Sequence, residues 1–179
     1  MIHLKYSLSI VFIIFGLISC SEKSLQKYLV DKQDDEHFVK MDVATSLLQG
    51  SESNFSEEEK ETLNTIKKVN VVAYPITKGD TVNYENERRE IKEILAQEQY
   101  KELARINNDQ WDITLKYTGE EDAINEVIIF GSDDQRGFAV FRVLGKNMRP
   151  DQILKLLQTT DKNDLDFSKF GGLDGIFKD

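Results

Sequence analysis

The sequence predicts an α+β domain: a mostly antiparallel sheet of about five strands with helices packed on one face. Three observations carry this. The segment from Trp111 to Leu144 holds three apolar runs joined by short polar turns, the mark of an antiparallel meander. Val69 to Tyr74 is a β-branched run stopped by Pro75. Helix-start signals at Ser56 and Pro150 bracket these strands.

The elements follow in order. Ser24 to Gln33 reads as a short helix with Leu25, Tyr28 and Leu29 on one side. Asp34, Asp35 and Glu36 break it. Phe38 to Val43 alternates weakly and reads as a strand; Ala44 to Gln49 reads as one helical turn ended by Gly50. Ser56 and Glu59 form a capping-box pair, with Glu57 and Glu58 in the same turn and Lys67 and Lys68 in the last one, so both helix ends suit the macrodipole. Only Leu63 and Ile66 are apolar there, which predicts a helix covering an edge. After the Val69 to Tyr74 strand comes a polar loop around Lys78, Gly79 and Asp80. Asn83 is placed to cap a helix from Glu85 to Ile106, whose apolar stripe drifts near Glu98 and Gln99.

The second half is cleaner. Trp111, Ile113, Leu115 and Tyr117 alternate with Asp112, Thr114 and Lys116, a half-buried strand. Val127 to Phe130 is a continuous apolar strand. Phe138 to Leu144 is the third, with Arg142 on the same side as Phe138 and Val140, so that side is not wholly dry. Pro150 opens a last helix carrying Ile153, Leu154, Leu156 and Leu157. The domain is expected to span residues 25–158, followed by a tail, 159–179.

The chain has 179 residues, with 23 Lys plus Arg, 32 Asp plus Glu, one Cys and two His. One cysteine excludes an internal disulfide framework and a Cys-rich zinc site. A net charge of -9 disfavours nucleic acid as a partner, because phosphate binding needs a basic face. No cofactor motif is present: no Gly-rich phosphate loop, no Walker pattern and no serine elbow.

Residues 1–19 stand apart. Lys5 is their only charged side chain, and Leu8 to Ile18 is apolar but for Ser9 and Gly16. The run is shorter than the ~20 residues a membrane span needs and has the layout of a secretory signal peptide. Leu17, Ile18, Ser19 and Cys20 resemble a bacterial lipobox, in which the peptide is cut before the cysteine and the thiol receives a diacylglycerol. Multiple acyl chains anchor stably, at ~0.8 kcal/mol per buried CH₂. The expected mature chain starts at Cys20, with residues 20–24 as lipidated terminus and short spacer and the membrane as its partner through the lipid. In lipoprotein sorting an Asp after the cysteine signals inner-membrane retention, so Ser21 points to the outer membrane. Long acidic spacers mark surface-exposed lipoproteins; with Glu22 alone acidic, the reading leans to the periplasmic face, surface exposure being the alternative.

The lipobox at Cys20, the Phe38 to Leu48 segment, the Val69 to Tyr74 strand, Tyr100-Lys101-Glu102-Leu103, the Trp111 to Tyr117 strand and the hairpin from Val127 through Phe138 to Gly145 together resemble a Bacteroidetes lipoprotein family designated domain of unknown function 4252. The resemblance covers nearly all of the mature chain. It implies an envelope-located α+β domain from a Bacteroidetes source and supplies no catalytic residues.

Candidate chemistry is sparse. The acidic groups Asp34-Asp35-Glu36, Glu120-Glu121-Asp122 and Asp133-Asp134 fall in expected turns, where a solvated face is the simplest explanation; glycosidase chemistry needs carboxylates at set separations. Asp161 to Asp166 comes nearest a calcium loop, but Leu165 and the missing glycine break the pattern, so no metal site is expected. His37, a lone imidazole before a strand and beside acids, would need partners that the sequence does not supply to act as a metal ligand or base. Trp111 is expected in the core, in phase with Ile113 and Leu115. Asp80-Thr81-Val82 matches a short O-glycosylation pattern, with Thr81 as acceptor in a polar loop. Phe167, Phe170, Leu173, Ile176 and Phe177 recur in the glycine-bearing tail, which can fray, strap back on the domain or dock on a partner. The expectation is a non-enzymatic envelope lipoprotein that binds a protein partner or serves assembly or sensing. The alternative is a carboxylate-dependent hydrolase of an envelope polymer.

Overall fold

The computed structural model describes residues 23–44, 55–107 and 112–159. Six antiparallel strands form one open sheet in the order β1-β2-β6-β5-β4-β3. They are β1 (Val39–Ala44), β2 (Ile66–Pro75), β3 (Lys101–Asn107), β4 (Asp112–Glu120), β5 (Ala123–Asp133) and β6 (Gly137–Met148). Among the described residues four helices accompany them: α1 (Leu25–Asp31), α2 (Glu57–Thr65), α3 (Thr81–Leu95) and α4 (Pro150–Thr159). The class is α+β, as the sequence predicts. β3 to β6 is the expected meander with one strand more.

That strand is a correction. The helix expected from Glu85 to Ile106 is two elements. α3 stops at Leu95, a turn closes with the Tyr100 N–H donating to the Gln97 carbonyl at 3.0 Å, and the chain continues as β3. The drift of the apolar stripe at Glu98 and Gln99 was the end of the helix. β3 escapes a period-two reading because its pairing with β4 shifts register between Glu102 and Ala104, leaving Leu103 as the extra residue of a bulge.

Helices cover both faces of the sheet rather than one. Val72, Tyr74, Ile128, Phe130, Phe138 and Val140 share one face by register, and Leu25 and Tyr28 of α1 pack there with Tyr84, Ile91, Ile94 and Leu95 of α3. Val69, Val127, Ile129 and Val143 point to the other face, where Leu63 of α2 and Ile153 and Leu156 of α4 join them. Strands covered on both sides become continuous apolar runs, which is why β2 and β6 carry Val, Ala, Phe and Tyr at successive positions.

Local chemistry sets the ends. Ser56 and Glu59 make both halves of the capping box of α2. α2 ends at Thr65, so Lys67 and Lys68 belong to β2 and not to a last helical turn. Asp80, not Asn83, caps α3: its carboxylate accepts the Asn83 N–H at 2.7 Å. Gly137 begins β6 at φ +123°, where an added Cβ would lie 2.0 Å from the Tyr74 carbonyl oxygen. Of the helical turn expected from Ala44 to Gln49, Ala44 is the last residue of β1, paired with Lys68, and 45–49 lie outside the described residues, as do Trp111, Cys20 and the whole tail from 160.

Candidate functional site

An open cleft of about 510 Å³ lies where α1 meets the sheet. Its lining begins with Ser24 and Gln26 at the start of α1, continues through Gln99, Tyr100 and Lys101 at the entry to β3, and ends on the β4–β5 hairpin and β6. The face of the sheet that holds α1 and α3 changes character here. Beyond Phe138 and Val140, the next β6 residue of that parity is Arg142. Arg142 stands opposite Ile128, and its guanidinium reaches diagonally to Glu126, which stands opposite Leu144. The Nε to Oε1 distance is 2.5 Å, and the two side chains are 12% and 13% exposed, so the pair is desolvated enough to need its partners. A second guanidinium nitrogen donates to Gln26 of α1. Thr118 donates to the other Glu126 oxygen at 3.4 Å. Lys116, on the same face, donates to the Tyr100 carbonyl at 3.3 Å.

Lys23 and Leu25, at the start of α1, are tied down beside this cleft. The Leu25 N–H, first in α1, donates to the Tyr100 hydroxyl at 3.1 Å, and the Gln97 amide donates to the Lys23 carbonyl at 2.6 Å. These bonds supply partners for backbone groups that a helix start leaves open. Burial pushes the Tyr100 phenol up, against the Leu25 bond, which favours the ionised form. On the outer side of α1, Tyr28 donates to Glu87 of α3 at 2.8 Å, and Lys32 pairs with the other Glu87 oxygen. The Lys32 ammonium also lies 5.3 Å from the Tyr28 ring centre and 5.4 Å from that of Phe38. Burial, then Glu87, drives the Tyr28 phenol far above its ordinary range.

Positive Lys101 and Arg142 balance negative Glu120 and Glu126 around the cleft. Such a lining can bind a polar or zwitterionic group through side-chain amides, hydroxyls and paired charges. Among the described residues no three His, Cys, Asp or Glu side chains come together to hold a metal. Ser132 is buried with its Oγ unbonded to any protein group, and His37 does not reach it: Phe38, Tyr74, Phe138 and Ser132 form one cross-strand row. Three strand spacings, ~14 Å, therefore separate the end of β1 next to His37 from the strand of Ser132. His37 instead holds Asp35 at 2.8 Å.

The other residues singled out in the sequence disperse. Thr81 is exposed but is the first residue of α3, not part of a loop. Asp133 accepts the Gln135 and Arg136 N–H groups in a turn, and Asp134 pairs with Arg88 at 2.6 Å. Glu120 alone among the acidic-turn residues lines the cleft. Cys20, Phe167, Phe170, Leu173, Ile176 and Phe177 lie outside the described residues.

Residues 28–156 match the family model described as Domain of unknown function (DUF4252). That span is well over half the chain. The chain belongs to the DUF4252 family. The DUF4252 match runs from Tyr28 in α1 to Leu156 in α4 and so takes in all six strands. It includes Gln99, Tyr100, Lys101, Glu126 and Arg142 of the cleft, whereas Ser24 and Gln26 precede it. No curated protein and no solved structure matches the chain.

Proposed function

We propose that this DUF4252 protein is an envelope-anchored binding module, lipidated at Cys20, that seats a polar group of an envelope partner in the cleft between α1 and the β4–β5 hairpin. The observation that carries this reading is where the cleft lies. Ser24 lines it, four residues after Cys20, and four extended residues span at most ~14 Å. A protein held by acyl chains at Cys20 would therefore present the cleft close to the membrane surface. Ser21 in the sorting position favours the outer membrane, and a short spacer with Glu22 as its one acid favours the periplasmic face. The balanced charges suit a neutral or zwitterionic partner group, and the net charge of -9 disfavours nucleic acid.

The hydrolytic alternative draws on Glu120 and Glu126 lining one cleft. Glu126, however, is already engaged: its carboxylate accepts from the Arg142 Nε at 2.5 Å and from the Thr118 hydroxyl at 3.4 Å, so it does not face Glu120 as a free second carboxylate.

The test is a photo-reactive amino acid at Gln99 in the full lipidated chain, irradiated in native membranes. The expected result is an adduct of defined mass that disappears with Arg142→Met while circular dichroism stays unchanged. No adduct, or an adduct indifferent to a folded Arg142→Met protein, contradicts the reading. Release of a cleaved envelope polymer by wild type and not by Glu126→Gln would favour the hydrolase.

A further inference from the structure

The sheet face that carries α2 and α4 continues past them as an apolar patch. Val39, Val71, Ala73 and Ala139 are buried at its floor, and Met41, Val69 and Phe141 rim it half-buried. Register puts these residues side by side: Met41 pairs with Val71 and Val71 with Phe141; Val39 pairs with Ala73 and Ala73 with Ala139. Among the described residues, the patch draws on β1, β2 and β6 alone. It is continuous with the cluster under α2 and α4, because Val69 belongs to both. Ala73 and Ala139, the smallest side chains of the patch, stand opposite each other across the β2–β6 pair.

We infer that the occupant of this patch is the chain's own C-terminal segment, residues 160–179, laid across β6, β2 and β1 as a strap. The chain leaves α4 at Thr159 on the correct face, because Ile153 and Leu156 pack with Val127 and Val143. The distance is short. Crossing three strands takes ~10–15 Å, while twenty residues reach ~66 Å when extended. The composition fits the surface. Phe167, Phe170, Leu173, Ile176 and Phe177 supply five large apolar groups, and Gly171, Gly172 and Gly175 let the backbone pass close to the alanine floor. Burying the five on the same molecule removes the association hazard that these apolar groups would present in water. Laid across the sheet, the strap ends over β1, an edge strand, where a covering segment hinders pairing with another chain. The cleft and the strapped patch are on opposite faces, so this inference stands apart from the binding reading.

The experiment places a photo-reactive amino acid at Met41, and separately at Val69, in the full-length chain at micromolar concentration. Intrachain adducts to peptides from 160–179 are expected at both positions. Replacing Phe167, Phe170 and Phe177 with Ser should lower their yield at least tenfold and speed amide exchange in β1. Adducts to residues 45–54 or to the N-terminal segment, cross-links between two copies, or no adduct to the tail at either position would overturn the assignment.

Discussion

Glu87 shows how one residue can hold two elements. It accepts from the Tyr28 hydroxyl of α1 and pairs with Lys32, and both charged side chains are largely buried. Removing it strands a buried hydroxyl and a desolvated ammonium. Glu87→Ala should cost about 1.5–3 kcal/mol in a urea titration, and Glu87→Gln less, because the amide oxygen still accepts from Tyr28. Equal stability of Glu87→Ala and wild type would mean that solvent replaces both partners. Gly137→Ala should also destabilise, by more than the gain from a stiffer unfolded chain, since a Cβ at that φ meets the Tyr74 carbonyl. At this scale the sequence was uneven. Arg142 was legible as a charge intruding on an apolar parity. Its partner Glu126 was not, because it sits just before the Val127 to Phe130 run and joins Arg142's face only once β5 and β6 are in register. Glu87 reads as a surface acid on a helix until α1, more than fifty residues earlier, is packed against it.

Among the elements, α3 and β3 are the instructive pair. Apolar residues at Ile91, Ile94 and Leu95 follow the helical period and are buried. Leu103 and Ile106 extend that spacing by coincidence, since the bulge at Leu103 removes the alternation that would have marked a strand. β2 and β6 were legible as strands from their composition. Their coverage on both faces was written in the lack of alternation, which a short apolar run shares with a buried helix. The capping of α3 gives a direct check. Asp80→Ala should cost about 0.5–2 kcal/mol by removing the acceptor for the Asn83 N–H, while Asn83→Ala should cost less. If Asn83→Ala is the more damaging change, the cap is misassigned. The same position bears on modification. Thr81 is exposed at the first helical residue, so a glycan there adds bulk at a helix end without entering the core. Intact mass of protein from its native host should show a sugar that Thr81→Ala removes; an unmodified mass ends that proposal.

For the whole molecule, the aromatic core sets the alkaline limit of stability. Burial raises the phenols of Tyr28, Tyr74, Tyr84 and Tyr100, with Tyr84 pushed up to about 12 against an ordinary 10.0. The folded chain thus keeps protons that the unfolded chain loses. For Tyr84 this stability is fully present below pH 10.0 and is lost as the pH rises through about 12. The tyrosinate absorbance that Tyr84→Phe removes and the far-ultraviolet dichroism should change together in that window; ionisation of Tyr84 near 10.0 in a still-folded chain would contradict this packing. The Tyr28–Glu87 and Leu25–Tyr100 bonds that build this core also fasten the residues next to the proposed anchor, so the position of the cleft near a membrane depends on Cys20. The most direct measurement is metabolic labelling with a fatty-acid analogue followed by fractionation. Wild type should be labelled and sediment with the outer membrane, and Cys20→Ala should be unlabelled and released. Equal labelling of the two proteins, or an unlabelled wild type in the soluble fraction, would contradict an envelope-anchored module.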